Sequence, residues 1–106
     1  MAVVTLTKAD NHSSIKAREK DEIVVRLPEN PSTGFRWHVE RAGGTIELEK
    51  DSFELGSDPQ FGSGGVREFR FRIRSALPGQ IELKHWREWE GEASVNERYV
   101  VDILDP

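Results

Sequence analysis

Apolar and charged residues alternate over residues 66–74, with Phe69, Phe71 and Ile73 on one side and Arg70, Arg72 and Arg74 on the other. A two-residue period of this kind predicts a strand with one face in a core and one in water. The same pattern predicts strands at residues 80–86, with Ile81 and Leu83 inward, and at 98–104, with Tyr99, Val101 and Ile103 inward. Residues 45–50 alternate too, placing Ile46 and Leu48 on one face. Two further runs, 3–7 and 22–27, are β-branched or apolar, and Pro28 is expected to stop the second. Turn signals separate these runs, among them Ala42-Gly43-Gly44 and Leu77-Pro78-Gly79. Seven or so short strands with such punctuation fit an all-β fold, a β-sandwich of Greek-key type. A closed barrel satisfies the same pattern.

Composition narrows the setting. A chain of 106 residues supports one domain, residues 1–106, with its own core. Hydrophobic residues make up 36% and charged ones 32%, so much of the surface is charged. No apolar run approaches the roughly 20 residues that a spanning helix needs, and no membrane partner is expected. Met1 to Lys8 lacks the basic start and apolar stretch of a signal peptide, which leaves a cytosolic protein or one whose signal has been removed. The absence of cysteine excludes disulfides, thiol catalysis and cysteine-ligated metals. A net charge of −4 argues against nucleic acid, whose phosphates are met by concentrated positive charge. The arginine stripe at positions 70, 72 and 74 therefore reads as a solvated strand face. The acidic runs at 47–51 and 88–92 are available to pair with it, at roughly 0–1 kcal/mol per exposed pair.

Three segments do not read as ordinary connections. In the first, Asn30-Pro31-Ser32-Thr33-Gly34-Phe35, proline fixes one φ and glycine accepts a positive one, so a small polar tip is preshaped. Phe35 and Trp37 then alternate with Arg36 and His38 as residues entering a half-buried strand do, and Trp37 is expected to be buried. The second, Gly62-Ser63-Gly64-Gly65-Val66, exposes bare backbone. It is no phosphate loop, because Val66-Arg67 and a strand follow where Lys, Ser/Thr and a helix are required. The third, Trp86-Arg87-Glu88-Trp89, sets two indoles around an arginine just before Gly91. A sandwich has room inside for one of the two, which leaves the other exposed beside Arg87, and Trp and Arg are the types enriched at binding hot spots. No catalytic constellation accompanies them. The histidines, His12, His38 and His85, are scattered, with no metal-ligand spacing and no nucleophile motif.

Taken in order, the three segments resemble the chagasin family of protein inhibitors of papain-like cysteine peptidases. Residues 30–35 resemble its Asn-Pro-Thr-Thr-Gly-Tyr/Phe loop, Gly62-Ser63-Gly64-Gly65 its Gly-x-Gly-Gly loop, and Arg87-Glu88-Trp89 its Arg-Pro-Trp loop. The resemblance implies an immunoglobulin-like β-sandwich of about seven to eight strands with three loops at one end. It also implies a monomeric, reversible, non-covalent inhibitor of enzymes such as papain or cathepsin L, with no cofactor and no enzyme activity. Asn30 to Phe35 would meet the catalytic centre, Gly62 to Val66 would lie along the cleft by backbone contacts, and Arg87 and Trp89 would pack on its far side. Ser32 for Thr is a mild departure. Glu88 for Pro removes a rigid φ and adds a charge beside Trp89, which is expected to loosen the third loop or shift its targets. The competing reading is a non-inhibitory immunoglobulin-like module that binds a carbohydrate or protein through exposed Trp and Arg, with Trp86 and Trp89 as a stacking platform.

Overall fold

The computed structural model describes residues 2–43, 45–55, 64–75 and 78–106. Among these residues lie eight strands, β1 (Val3–Leu6), β2 (Ser14–Lys16), β3 (Glu22–Glu29), β4 (Arg36–Arg41), β5 (Ile46–Leu55), β6 (Gly65–Ile73), β7 (Gly79–Trp86) and β8 (Glu97–Leu104). They form two four-stranded sheets, one ordered β1-β3-β6-β5 and the other β2-β8-β7-β4. Helical structure among the described residues is limited to short 3₁₀ turns. Both sheets are mixed: β1 runs parallel to β3 and β2 parallel to β8, while the remaining pairs are antiparallel.

The core lies between the sheets and follows the two-residue period. Ile23, Val25 and Leu27 of β3 and Phe69, Phe71 and Ile73 of β6 face Ile81 and Leu83 of β7 and Tyr99, Val101 and Ile103 of β8. Trp37 of β4 joins them at 3% exposure, as expected. The arginine stripe lies on the outer face of its sheet and is paired: Arg70 with Glu22 and Glu68, Arg72 with Glu22 and Glu49, Arg74 with Glu47 and Glu49. Of the two acidic runs, the first supplies Glu47 and Glu49 to it. In the second run, Glu92 bonds Lys84 and Arg98 of the other sheet, and Glu90 bonds Arg87.

Several expectations change. β3 does not stop at Pro28 but runs through it to Glu29. Pairing with β1 ends at Leu6 and Val25, so Pro28 sits on a stretch with one open side, where a missing N–H costs no ladder bond. Leu48 is exposed although Ile46 is buried, because β5 is an outer strand and its register shifts between Leu48 and Lys50. β2 was not anticipated. It has three residues, too few to show a period. Neither Trp86 nor Trp89 enters the core: with Ile81 and Leu83 inward, Trp86 must point outward, where Lys84 Nζ lies 3.6 Å from its ring centroid. Hydrogen bonds to Glu40 and Glu92 outweigh the burial of that ammonium and hold its pKa above the usual lysine value.

Tyr99 is the single tyrosine of the chain and is fully buried, its hydroxyl donating to Thr7 O at 2.7 Å. Burial, helped by the negative charge of Asp10, pushes its phenol well above the ordinary tyrosine value. Between the unfolded and the folded pKa the native state holds the proton that the unfolded state has lost, so stability falls as pH rises through that window. Absorbance titration is therefore expected to show no phenolate near pH 10 and a single cooperative appearance together with unfolding at higher pH. Tyr99→Phe should lower stability by about 1 kcal/mol in a denaturant titration at neutral pH, because the buried hydrogen bond to Thr7 O is lost and only the Asp10 N–H still donates there.

Candidate functional site

The first loop carries the chain from β3 in one sheet to β4 in the other and tightens into a 3₁₀ turn over Pro31–Thr33. Asn30 caps that turn: its Oδ1 accepts from Ser32 N at 3.0 Å and from the Ser32 hydroxyl at 2.8 Å. Thr33 Oγ1 donates to Asn30 O at 2.8 Å and accepts from Phe35 N at 3.3 Å. Gly34 closes the turn at φ +80°, in the left-handed region that favours glycine. The tip is thus built from its own short side chains and leaves little backbone free to move.

The third loop leans on the first. Arg87 Nε donates to Thr33 O at 3.1 Å, and its guanidinium lies over the Phe35 ring at 4.5 Å while also reaching Glu90. Phe35 stacks in turn on His85 at 5.2 Å, and His85 packs on Trp37 at 4.8 Å. A column of flat groups therefore runs from the third loop through the first into the core. Trp89 is 73% exposed, yet one edge of its indole rests on Gly34: a Cβ there would lie 2.6 Å from Trp89 Cη2. Two successive 3₁₀ turns, Glu88–Glu90 and Glu92–Ser94, shape the rest of the loop, and the Ser94 hydroxyl accepts from Arg87 N at 2.9 Å. Glu88 opens the first of them, after an Arg87 with extended backbone. The position suits a proline, and hydrogen-bonded turns order the loop without one.

Of the second loop, Gly62 and Ser63 lie outside the described residues. Gly64, Gly65 and Val66 are buried. Gly65 pairs with Glu29 of β3 and Leu55 of β5, and Val66 pairs with Pro28 and Glu54. The end of the second loop and the start of the first are therefore neighbours in the sheet. Asn30, Gly64 and Arg87 stand at the same end of the sandwich, although 57 residues separate the first from the last in sequence.

Residues outside the three motifs hold this end together. Glu29 follows Ile23, Val25 and Leu27 in the inward register, and Arg67 precedes Phe69 and Phe71 in theirs. They meet between the sheets, with Glu29 Oε2 2.7 Å from Arg67 Nη2, and Arg67 also reaches Asp51 at 3.0 Å. Burial works against the Arg67 charge, but the hydrogen bonds and charges of Glu29 and Asp51 outweigh it and hold its pKa above the usual value. Neither residue is visible in a motif. Both are found by continuing each strand's alternation one step beyond its last apolar residue.

The described residues hold no cluster of three or more His, Cys, Asp or Glu suited to a metal ion. What the site offers is a small rigid polar tip, an exposed indole beside it and a scaffold of two sheets, the class of an immunoglobulin-like binding module. Residues 16–103 match the model of the chagasin family peptidase inhibitor I42. Chagasin of Trypanosoma cruzi is 30% identical over 103 residues, covering 91% of this chain and 92% of its own. Amoebiasin-2 of Entamoeba histolytica is 29% identical over 91 residues, covering 84% and 74%. Among solved structures, a cysteine protease inhibitor from Entamoeba histolytica superposes with a TM-score of 0.88 at 22% identity, covering 99% of this chain and 96% of that one, a likeness of fold. The chain belongs to the chagasin family of peptidase inhibitors: it is an inhibitor and not an enzyme. The sugar-platform reading is not favoured, and Lys84 already occupies a face of Trp86.

Gly34→Ala tests the seam between the two loops. The substitution forces a Cβ both into a left-handed backbone and against the indole of Trp89. A loss of about 1 kcal/mol or more in thermal melts is expected, together with a shift in tryptophan emission as Trp89 is displaced.

Proposed function

We propose that the protein is a reversible, non-covalent inhibitor of papain-like cysteine peptidases that acts as a monomer, with residues 1–106 forming one inhibitory domain. Residues 30–35 enter the catalytic centre, the second loop of residues 62–66 lines one side of the cleft from a buried stem at Gly64 to Val66, and Arg87, Glu88 and Trp89 grip the other. The observation that carries this reading is the Arg87 bracket. It holds the first and third loops side by side through Thr33 O and Phe35, so the two present one continuous edge. Support also comes from the relatives, since the Entamoeba histolytica structure is of a cysteine protease inhibitor and a more distant fold neighbour, PbICP-C, was solved in complex with falcipain-2.

Physical chemistry favours such a wedge. Loops already ordered in the free protein lose less entropy on binding, so more of the contact energy appears as affinity. The 3₁₀ turn over Pro31–Thr33 and the left-handed Gly34 keep the tip out of the extended conformation in which a peptide bond would be presented for attack. Arg87 spends its guanidinium on Thr33, Phe35 and Glu90, so it serves chiefly as the bracket. Trp89 is left as the principal contact.

Competitive inhibition of papain and of a cathepsin L type enzyme by wild type and four variants tests the proposal. Trp89→Ala should weaken inhibition by about 2 kcal/mol or more, roughly thirtyfold, while remaining folded. Thr33→Ala should cost less, about 0.5–1.5 kcal/mol, through its two loop hydrogen bonds. Thr33→Trp should cost more than the truncation, because the tip must fit a narrow centre. Glu88→Pro should hold or improve affinity. Failure of the wild-type protein to inhibit several such peptidases at micromolar concentration would refute the proposal.

A further inference from the structure

The first loop is closed at its base by a single buried carboxylate. Glu29, whose side chain is 1% exposed, precedes the loop, and its Oε1 accepts from the backbone N–H of Trp37, beyond the loop, at 2.7 Å. A second tie runs parallel: Trp37 Nε1 donates to Pro28 O at 3.1 Å. Arg67 holds the carboxylate from the other side, with Nε 3.1 Å and Nη2 2.7 Å from Oε2. Arg67 stands two residues beyond Gly65, on the strand where the second loop ends. Contact between the two stems is close, since a Cβ on Gly64 would lie 2.9 Å from Glu29 O.

A carboxylate so enclosed is an expensive way to fill that position. For the ion pair taken alone, an apolar pair of similar volume is often neutral or better for stability. What an apolar side chain could not do is accept the Trp37 N–H while turning a second oxygen to a guanidinium on another strand. We propose that Glu29 is a positioning residue of the inhibitory site: it clamps the two ends of the first loop to each other and, through Arg67, fixes them to the stem of the second. The inference rests on the reading of residues 30–35 as the inhibitory tip, and it concerns how that tip is held rather than what it touches.

Two variants and two measurements test it. Glu29→Gln keeps an acceptor for Trp37 N but loses the charge facing Arg67. The double variant E29L/R67L removes both charges, so no buried charge is left unpaired and the fold should persist. Backbone order parameters from NMR on the free protein report the clamp without any peptidase. In E29L/R67L the amides of Ser32, Thr33 and Gly34 should fall from the rigid value of about 0.85 towards 0.6, with Phe69 and Tyr99 unchanged. Glu29→Gln should show a smaller drop at the same three amides. Association of E29L/R67L with papain should slow by about tenfold or more, since only a fraction of molecules present the tip correctly.

Unchanged order at residues 32–34 would overturn the clamp. Loosening that extends equally to Phe69 and Tyr99 would also overturn it, by assigning the pair to general stability. A mobile loop with wild-type association kinetics would show that positioning by Glu29 does not matter for binding. If wild type itself fails to inhibit, the inhibitor reading falls, while the order parameters still decide whether Glu29 holds the loop.

Discussion

A chain that crosses from one sheet to the other over the end of a core must leave no backbone polar group unpaired beneath it. That constraint shapes the whole functional end of this protein. Each N–H or C=O lost from a ladder at the crossover costs about 1–3 kcal/mol if it is buried without a partner. The buried group, Trp37 N, is answered by Glu29, and at the exposed tip Asn30 Oδ1 serves Ser32 N, Thr33 Oγ1 serves Phe35 N and Arg87 serves Thr33 O. Side chains that satisfy the crossover also stiffen it. Closing the sandwich thus fixes the base of the first loop, and the tip's own exposed hydrogen bonds carry that order outward.

The first sheet treats charge differently on its two faces, and the difference keeps the functional end distinct. On the outer face of the first sheet, arginines and glutamates form a ladder of half-buried to exposed pairs that keeps that face charged and hydrated. Inside the sandwich, charge is admitted at the loop end, where Glu29 and Arg67 replace the next apolar layer. The ends of β3 and β6 are thereby joined by directional bonds as well as by packing. Such bonds fix an orientation that dispersion between aliphatic side chains would leave loose.

Much of this was legible in the sequence because the period of a strand is short and strict. Phe69, Phe71 and Ile73, or Tyr99, Val101 and Ile103, admit one reading, and the core follows it. The strand of residues 14–16 was not legible, because three residues with one apolar member carry no period and its parallel partner lies at the far end of the chain. Pro28 misled because a proline reads as a stop unless one knows that the neighbouring strand has already ended. At the site, the motif residues of the first and third loops could be named from sequence, but their division of labour could not. Whether Arg87 faces a partner or braces Thr33 depends on a contact between positions 54 residues apart, which local pattern does not encode.

That division of labour explains how an indole can be left in water at a binding edge. A free tryptophan on a flexible loop would lose rotamer freedom on binding, at a cost of about 0.5–1.5 kcal/mol per side chain. Trp89 has met part of that cost in advance. Gly34 brings its backbone against the indole edge, where any larger residue would collide, and Arg87 fixes the two loops on which the contact depends. The glycine thus acts twice: its left-handed φ closes the tip, and its missing side chain seats the tryptophan. An exposed aromatic held this way presents area without disorder, which is what a competitive wedge requires of its anchor.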